Sequence, residues 1–251
     1  MRSALATLVF LAACSRGTSP NLDAAPGDRR DAPEVAVDAP ALPGDDLAPV
    51  RHTIVVDGID DFFASEQFAT TSNGYDARVT WDETHLYLGY GGPDLDPAAL
   101  DAASKWLFVA IDVDPGAATG AAQSLAYNTQ HAVFPAGFGA ELYARYKCDG
   151  SFATLEQFAA PDWMTSATAP QVARSGSFVE LAIPRAVFGT ATTVGVVTWM
   201  INEKPDFEGT FAGLYAGNFT DGYQPALALT KYLRADFTSP RAPNDPLNQA
   251  P

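Results

Sequence analysis

The chain has 251 residues, 47% of them hydrophobic, and a formal net charge of −15. A body this acidic, with sequence pI near 4.3, repels phosphate backbones and anionic headgroups, so nucleic acid is excluded as a partner. Arginines such as Arg145 and Arg185 are too dispersed to build a basic stripe against that field.

The first element is the apolar run Ala4–Ala13, preceded by Arg2. It is roughly half of the ~20 residues that cross a bilayer as a helix. It has the anatomy of a secretion signal over residues 1–13. The run ends Leu11-Ala12-Ala13-Cys14, which resembles the lipobox of bacterial lipoproteins. That resemblance implies cleavage before Cys14 and acylation of its thiol, with each buried methylene contributing about 0.8 kcal/mol to anchoring in the membrane. Ser15 stands where an Asp would favour inner-membrane retention, which points to the outer membrane. The alternative is an ordinary signal peptide with an incidental cysteine. Of the two cysteines, lipidation of Cys14 leaves Cys148 alone, so no internal disulfide is available and a packed core must carry stability.

Residues 14–50 change character: Ala, Pro and Asp dominate, with triplets Asp31-Ala32-Pro33 and Asp38-Ala39-Pro40 and no aromatic between Phe10 and Phe62. So little apolar bulk cannot offset ordering entropy, and a disordered linker is expected. At about 3.1 Å per residue in polyproline geometry it reaches on the order of 100 Å.

From residue 51 to 237 the signals are those of strands. Ala77–Trp81 alternates at period two, Asp82-Glu83-Thr84 makes a turn, and Leu86–Tyr90 returns as a hairpin. Trp106–Ile111 is a continuous apolar run, as a central strand covered on both faces requires. Glu141–Lys147 alternates into the turn Asp149-Gly150 and returns from Phe152, a second hairpin. Ser177–Ile183, Val194–Ile201 and part of Leu227–Phe237 read as further strands. Only Pro97–Ser104 and Pro184–Phe188 look like short helical turns, each opened by a proline. The tail 238–251, rich in Pro, Asn and Asp, is expected to be disordered. Many short strands with few helices predict an all-β fold, an antiparallel two-sheet β-sandwich of jelly-roll-like kind.

Four segments in order resemble the family 9 carbohydrate-binding modules and the DOMON-like sandwich group around them. They are Ile54-Val55-Val56-Asp57-Gly58, expected as a first strand; Trp81-Asp82 with Leu86-Tyr87-Leu88; Phe108–Ile111 running into Asp112-Val113-Asp114-Pro115-Gly116; and Glu180-Leu181-Ala182-Ile183-Pro184. They span most of residues 52–201. Two positions depart from the family pattern: Phe62 or Phe63 stands where a tryptophan is usual, and Leu107 and Val109 occupy a stretch that often carries an acid. The resemblance implies a sandwich that often holds structural calcium and binds sugar chains between aromatic rings.

Sugar recognition needs flat apolar faces with polar groups beside them. Among four tryptophans and nine tyrosines, Trp81 and Trp106 read as core. Trp163, in the polar stretch Ala160-Pro161-Asp162-Trp163, reads as an exposed loop platform, as do Tyr127 and Tyr223; Trp199 could face either way. These four are the candidate ligand-binding residues. Asp112 and Asp114 are candidate calcium ligands, offering hard oxygens in a turn without the full twelve-residue loop. Catalytic patterns are missing: His52, His85 and His131 have no metal-ligand spacing, no Gly-x-Ser-x-Gly elbow occurs, and carboxylate pairs such as Asp57 with Asp60 and Asp61 are ordinary in so acidic a chain. Glu180 reads as a structural acid. The expected function is therefore non-catalytic binding of a saccharide or glycoconjugate at the cell envelope. Two alternatives stand beside it: a scaffold or adhesin binding another envelope protein, and a noncovalent haem domain using Met164, Met200 and the histidines.

Overall fold

The computed structural model describes residues 52–96, 98, 102–117, 119–203 and 208–251. The signal segment, Cys14 and the linker 14–50 lie outside the described residues. No helix among those described is long and apolar enough to cross a membrane.

The fold is all-β, and among the described residues helical structure is confined to single 3-10 turns. In chain order the strands are β1 (Gln67–Ala69), β2 (Asp76–Trp81), β3 (His85–Gly91), β4 (Lys105–Asp112), β5 (His131–Val133), β6 (Leu142–Lys147), β7 (Ala153–Ala159), β8 (Asp162–Thr165), β9 (Gln171–Ser175), β10 (Phe178–Pro184), β11 (Thr193–Asn202), β12 (Gly209–Phe211), β13 (Ala226–Ala228), β14 (Tyr232–Asp236) and β15 (Gln249–Ala250). A five-stranded sheet, β1-β2-β3-β10-β9, packs on an eight-stranded sheet, β15-β14-β11-β4-β6-β7-β8, whose strand β11 also pairs with β12. Both are antiparallel throughout.

Both expected hairpins form. At the β2–β3 turn, Asp82 Oδ1 accepts from the Thr84 and His85 amides at 2.6 and 2.8 Å. Burial alone would raise this carboxyl, but hydrogen bonds from Thr84, Tyr87 and Thr53 outweigh it and hold the group well below the usual carboxylate range. At the β6–β7 turn Gly150 adopts φ +82°, which Asp-Gly turns exist to supply.

The interior between the sheets is largely aliphatic: Val79, Leu88, Leu107, Val109, Ile111, Leu181, Val196 and Leu233 are all buried there, with Trp81, Tyr90 and Phe237 filling the ends. Cys148, fully buried, sits in the same interior. Strand β4 alternates across this boundary. Leu107, Val109 and Ile111 face the interior, while Trp106, Phe108 and Ala110 join a second cluster on the opposite face of the eight-stranded sheet. Every residue of β4 is consequently buried, as its unbroken apolar run requires.

That second cluster is aromatic, and it is roofed. The excursion from β4 to β6 and the segment before β14 fold over it, joined by parallel pairing of β5 with β13. Asn218, 1% exposed, pins the second segment: its Oδ1 accepts from the Thr230 and Lys231 amides, and its Nδ2 donates to the Leu214 and Lys231 carbonyls.

Three expectations need correction. The segment Ile54–Gly58 forms no strand. Instead it packs on the outer face of the five-stranded sheet, Ile54 against Tyr87 and Ala182, and Glu180 Oε1 accepts from the Asp57 and Gly58 amides, each at 2.5 Å. Gly58, at φ +89°, leaves room for this approach, since a Cβ there would lie 2.3 Å from the Arg174 carbonyl carbon. The tail 238–251 is ordered. Asp245 caps a 3-10 turn at Pro246–Asn248, the Asn248 side chain donates to the Ala242 and Pro243 carbonyls, and β15 pairs with β14; its Pro, Asn and Asp residues supply turn chemistry. Trp163 lies within strand β8 and not in a loop, because Phe158 and Trp163 pair across the β7–β8 ladder. The helical turn at Arg185–Phe188 forms as expected. Of the other, Ala102–Ser104 is a 3-10 turn, while Pro97 and 99–101 lie outside the described residues.

Candidate functional site

The four aromatic candidates do not form one sugar-binding surface. Trp199 is 1% exposed, sealed among Phe108, Phe134 and Tyr143 beneath the roof, so it is a core residue and not a ligand contact. Its alternation with Met200 put it on the aromatic face, where the roof covers it. Tyr127 belongs to the roof: half-buried, it packs on Trp106 and Phe108, and its hydroxyl donates to Glu203. Glu203 also accepts from Trp106 Nε1 at 2.8 Å and pairs with Lys147 at 2.7 Å. Burial pushes its carboxyl up, but these donors prevail and its pKa is lowered. Trp163 is half-buried against Tyr143 and Phe158. Tyr223 is exposed, with its hydroxyl 2.7 Å from that of Thr129.

Asp112 and Asp114 are brought together with Glu141, a residue the sequence pattern did not single out. One oxygen from each of the three lies within 4.8 Å of the others. Asp112 closes β4 and Glu141 precedes β6, so the group sits at the base of the roof, where the excursion leaves the sheet and rejoins it. Asp112 accepts from the Asp114 and Gly139 amides at 2.9 and 3.0 Å, Glu141 accepts from the Val113 amide at 2.9 Å, and the Thr119 hydroxyl lies between Asp114 and Glu141. These donors do not compensate three neighbouring carboxylates. Burial pushes Asp112 up to about 6 and also raises Glu141, with like charges adding to both. Hard oxygens in a loop suit calcium, which takes six to eight of them, including backbone carbonyls and water.

A cleft of about 260 Å3 opens elsewhere, lined by Tyr75, Asp94, Lys105, Asn202, Gly209, Thr210, Phe211, Asp221 and Gly222. The Tyr75 and Phe211 rings meet edge to face at 5.0 Å and 70°. Lys105, 5% exposed, is held by Asp94 at 2.8 Å and Asn202 at 3.3 Å, with its ammonium 5.5 Å from the Phe211 ring centroid. The Tyr75 hydroxyl donates to the same Asp94. Opposite them, exposed Asp221 accepts from the Thr71 and Ser72 hydroxyls at 2.6 and 2.5 Å. Those hydroxyls in turn accept from the Gly213 and Ala212 amides at 3.0 and 2.7 Å. Ring surfaces beside fixed donors and acceptors can take a polyhydroxylated ligand. No sequence motif pointed here, because the lining comes from the β1–β2 connection, the turn after β3, the start of β4, the end of β11, β12 and the 221–222 loop.

The haem ligands are not assembled. Met200 is sealed in the sheet-to-sheet interior and Met164 is 60% exposed on β8. His52 pairs with Glu66 at 2.9 Å under the Phe63 ring, His85 opens β3, and His131 opens β5.

Comparison with family models, curated proteins and solved structures gave no match for this chain.

Proposed function

We propose that this chain is an exported, lipid-anchored and non-catalytic binding protein that holds a saccharide or glycoconjugate in the cleft lined by Tyr75 and Phe211. The likeness of its four segments to the family 9 carbohydrate-binding and DOMON-like group favours this reading, and the outer membrane is the proposed location, through Cys14. The observation that carries it is the pairing of two ring surfaces with the Asp94, Lys105, Asn202 and Asp221 side chains around one cleft. Glu180 and Asp82, two buried acids of the first sheet region, accept backbone amides and so serve the fold, which speaks for binding without turnover. Calcium at Asp112, Asp114 and Glu141 is part of the proposal, as a structural ion.

The test is a glycan array probed with the folded domain and with Phe211→Ala. Binding to a defined set of glycans, weakened at least tenfold by the substitution, is expected. An array blank for the parent protein removes the reading. Trp163 and Tyr223, substituted together by Ala, serve as the comparison: they are expected to change binding little, and a large loss would move the site to the outer face. Docking of another envelope protein is the second reading. It draws on Val55, Ile59 and Phe63, exposed by 63, 63 and 58%. Specific capture of one envelope protein with no glycan bound would favour it.

A further inference from the structure

The proposed saccharide cleft is electrically lopsided, and that asymmetry bears on which sugars it accepts. Its described charged residues are Asp94, Lys105 and Asp221. Lys105 is neutralised within the fold, since Asp94 holds its ammonium at 2.8 Å and Asn202 takes another of its protons. Among the described lining residues, an anionic sugar therefore finds no cation that is not already paired. Asp221 is different. It is exposed and, among the described residues, has no cation within ion-pair distance. Both of its oxygens are oriented by hydroxyl donors that are themselves fixed by backbone amides. An aligned carboxylate with lone pairs to spare is an acceptor for an ammonium group, and a charge-assisted bond of that kind is about twice as strong as a neutral one. The net charge of −15 acts in the same direction, drawing cations toward the surface and repelling polyanions.

We propose that the cleft is selective for oligosaccharides carrying a free amine, with Asp221 as the residue that sets this preference, and that it discriminates against uronic-acid chains. The proposal rests on the saccharide reading above and adds the ligand's charge class.

The test is calorimetric titration of the folded domain with three tetramers: glucosamine, N-acetylglucosamine and galacturonate. Glucosamine tetramer is expected to bind roughly tenfold more tightly than its N-acetylated form, as expected for one charge-assisted contact at an exposed site. Galacturonate is expected not to bind. Asp221→Asn should bring the glucosamine affinity down to the N-acetylated level. In the unmodified protein the preference should shrink as salt is raised, and also as pH is raised until the sugar amine loses its proton, so the result does not hang on one variant folding. Equal affinity for the amine and N-acetyl forms overturns the charge selectivity and leaves the saccharide reading standing. Stronger binding of galacturonate overturns it with opposite sign. Failure of every tetramer, and of a wider glycan array, overturns both.

Discussion

The two faces of the eight-stranded sheet solve the same burial problem in different ways. The inner face meets another sheet, and aliphatic side chains at alternate positions close it. Over the outer face the described residues place only the short β5–β13 pair and the loops around it. Trp106, Phe108, Tyr143 and Trp199 stack there, and a roof of loops seals them, held by side-chain hydrogen bonds at Asn218 and Glu203 more than by ladder pairing. A sheet-to-sheet contact is specified by period-two alternation alone. A roof needs bulky anchors beneath it and polar latches along its rim, so its stability is more local and more easily tuned.

The largest expected effect breaks that contrast directly. Trp199→Ala should cost roughly 3–5 kcal/mol, in the range of Leu107→Ala at roughly 2–5 kcal/mol on the other face. Urea denaturation measures both. If the tryptophan variant loses less than about 1 kcal/mol, the roof collapses freely onto the gap and the outer cluster is not a true core.

Smaller, and confined to the roof, is the effect of Glu203→Gln. The side chain would keep one acceptor for Trp106 or Tyr127 and lose its charge opposite Lys147. A cost of about 1–2 kcal/mol is expected. It should appear as faster hydrogen exchange at Tyr127 and Gln130, whose amides bond each other's carbonyls, with little change on the inner face. Uniform acceleration across both faces would mean that the roof and sandwich open as one unit.

The smallest effect concerns the base of the roof. In the presence of a chelator, Asp112 and Glu141 there, together with Glu180 on the five-stranded sheet, have folded-state pKa values raised above their unfolded ones. Such groups favour folding when protonated, and that contribution is lost as pH rises through the folded value, which for Asp112 is about 6. The metal-free protein should therefore melt a few degrees higher at pH 5 than at pH 7, given about 2–4 °C per kcal/mol for a domain of this size. Calcium should raise the melting temperature at pH 7 and do so less at pH 5, because protons compete for the same oxygens. A melt indifferent to calcium at pH 7 argues against the ion site. A lower metal-free melt at pH 5 argues that other groups dominate the acid response.

The sequence carried the sandwich further than it carried the site. Alternation in Ala77–Trp81 and Glu141–Lys147, and the apolar run of Trp106–Ile111, are local signals with one physical cause, and strands followed them. Three-residue strands such as Gln67–Ala69 or His131–Val133 hold too few side chains to show a period. Trp199 illustrates a different limit: alternation says that Trp199 and Met200 face opposite ways, but which face is later roofed depends on segments distant in the chain. Glu141 joins Asp112 only because an excursion of the chain closes on itself. The cleft is the extreme case, since Tyr75, Lys105, Phe211 and Asp221 share no spacing that a linear reading could detect.

The thiol of Cys148, the one free cysteine among the described residues, bears on the export proposed for this chain. It is fully enclosed, and burial pushes its pKa far above the ordinary cysteine range, so almost no thiolate exists while the chain stays folded. Crosslinking between two copies through sulfur must then wait for the two sheets around it to part. Its rate of capture by an alkylating reagent becomes a clock for global opening, and one that a ligand seated in the cleft should slow.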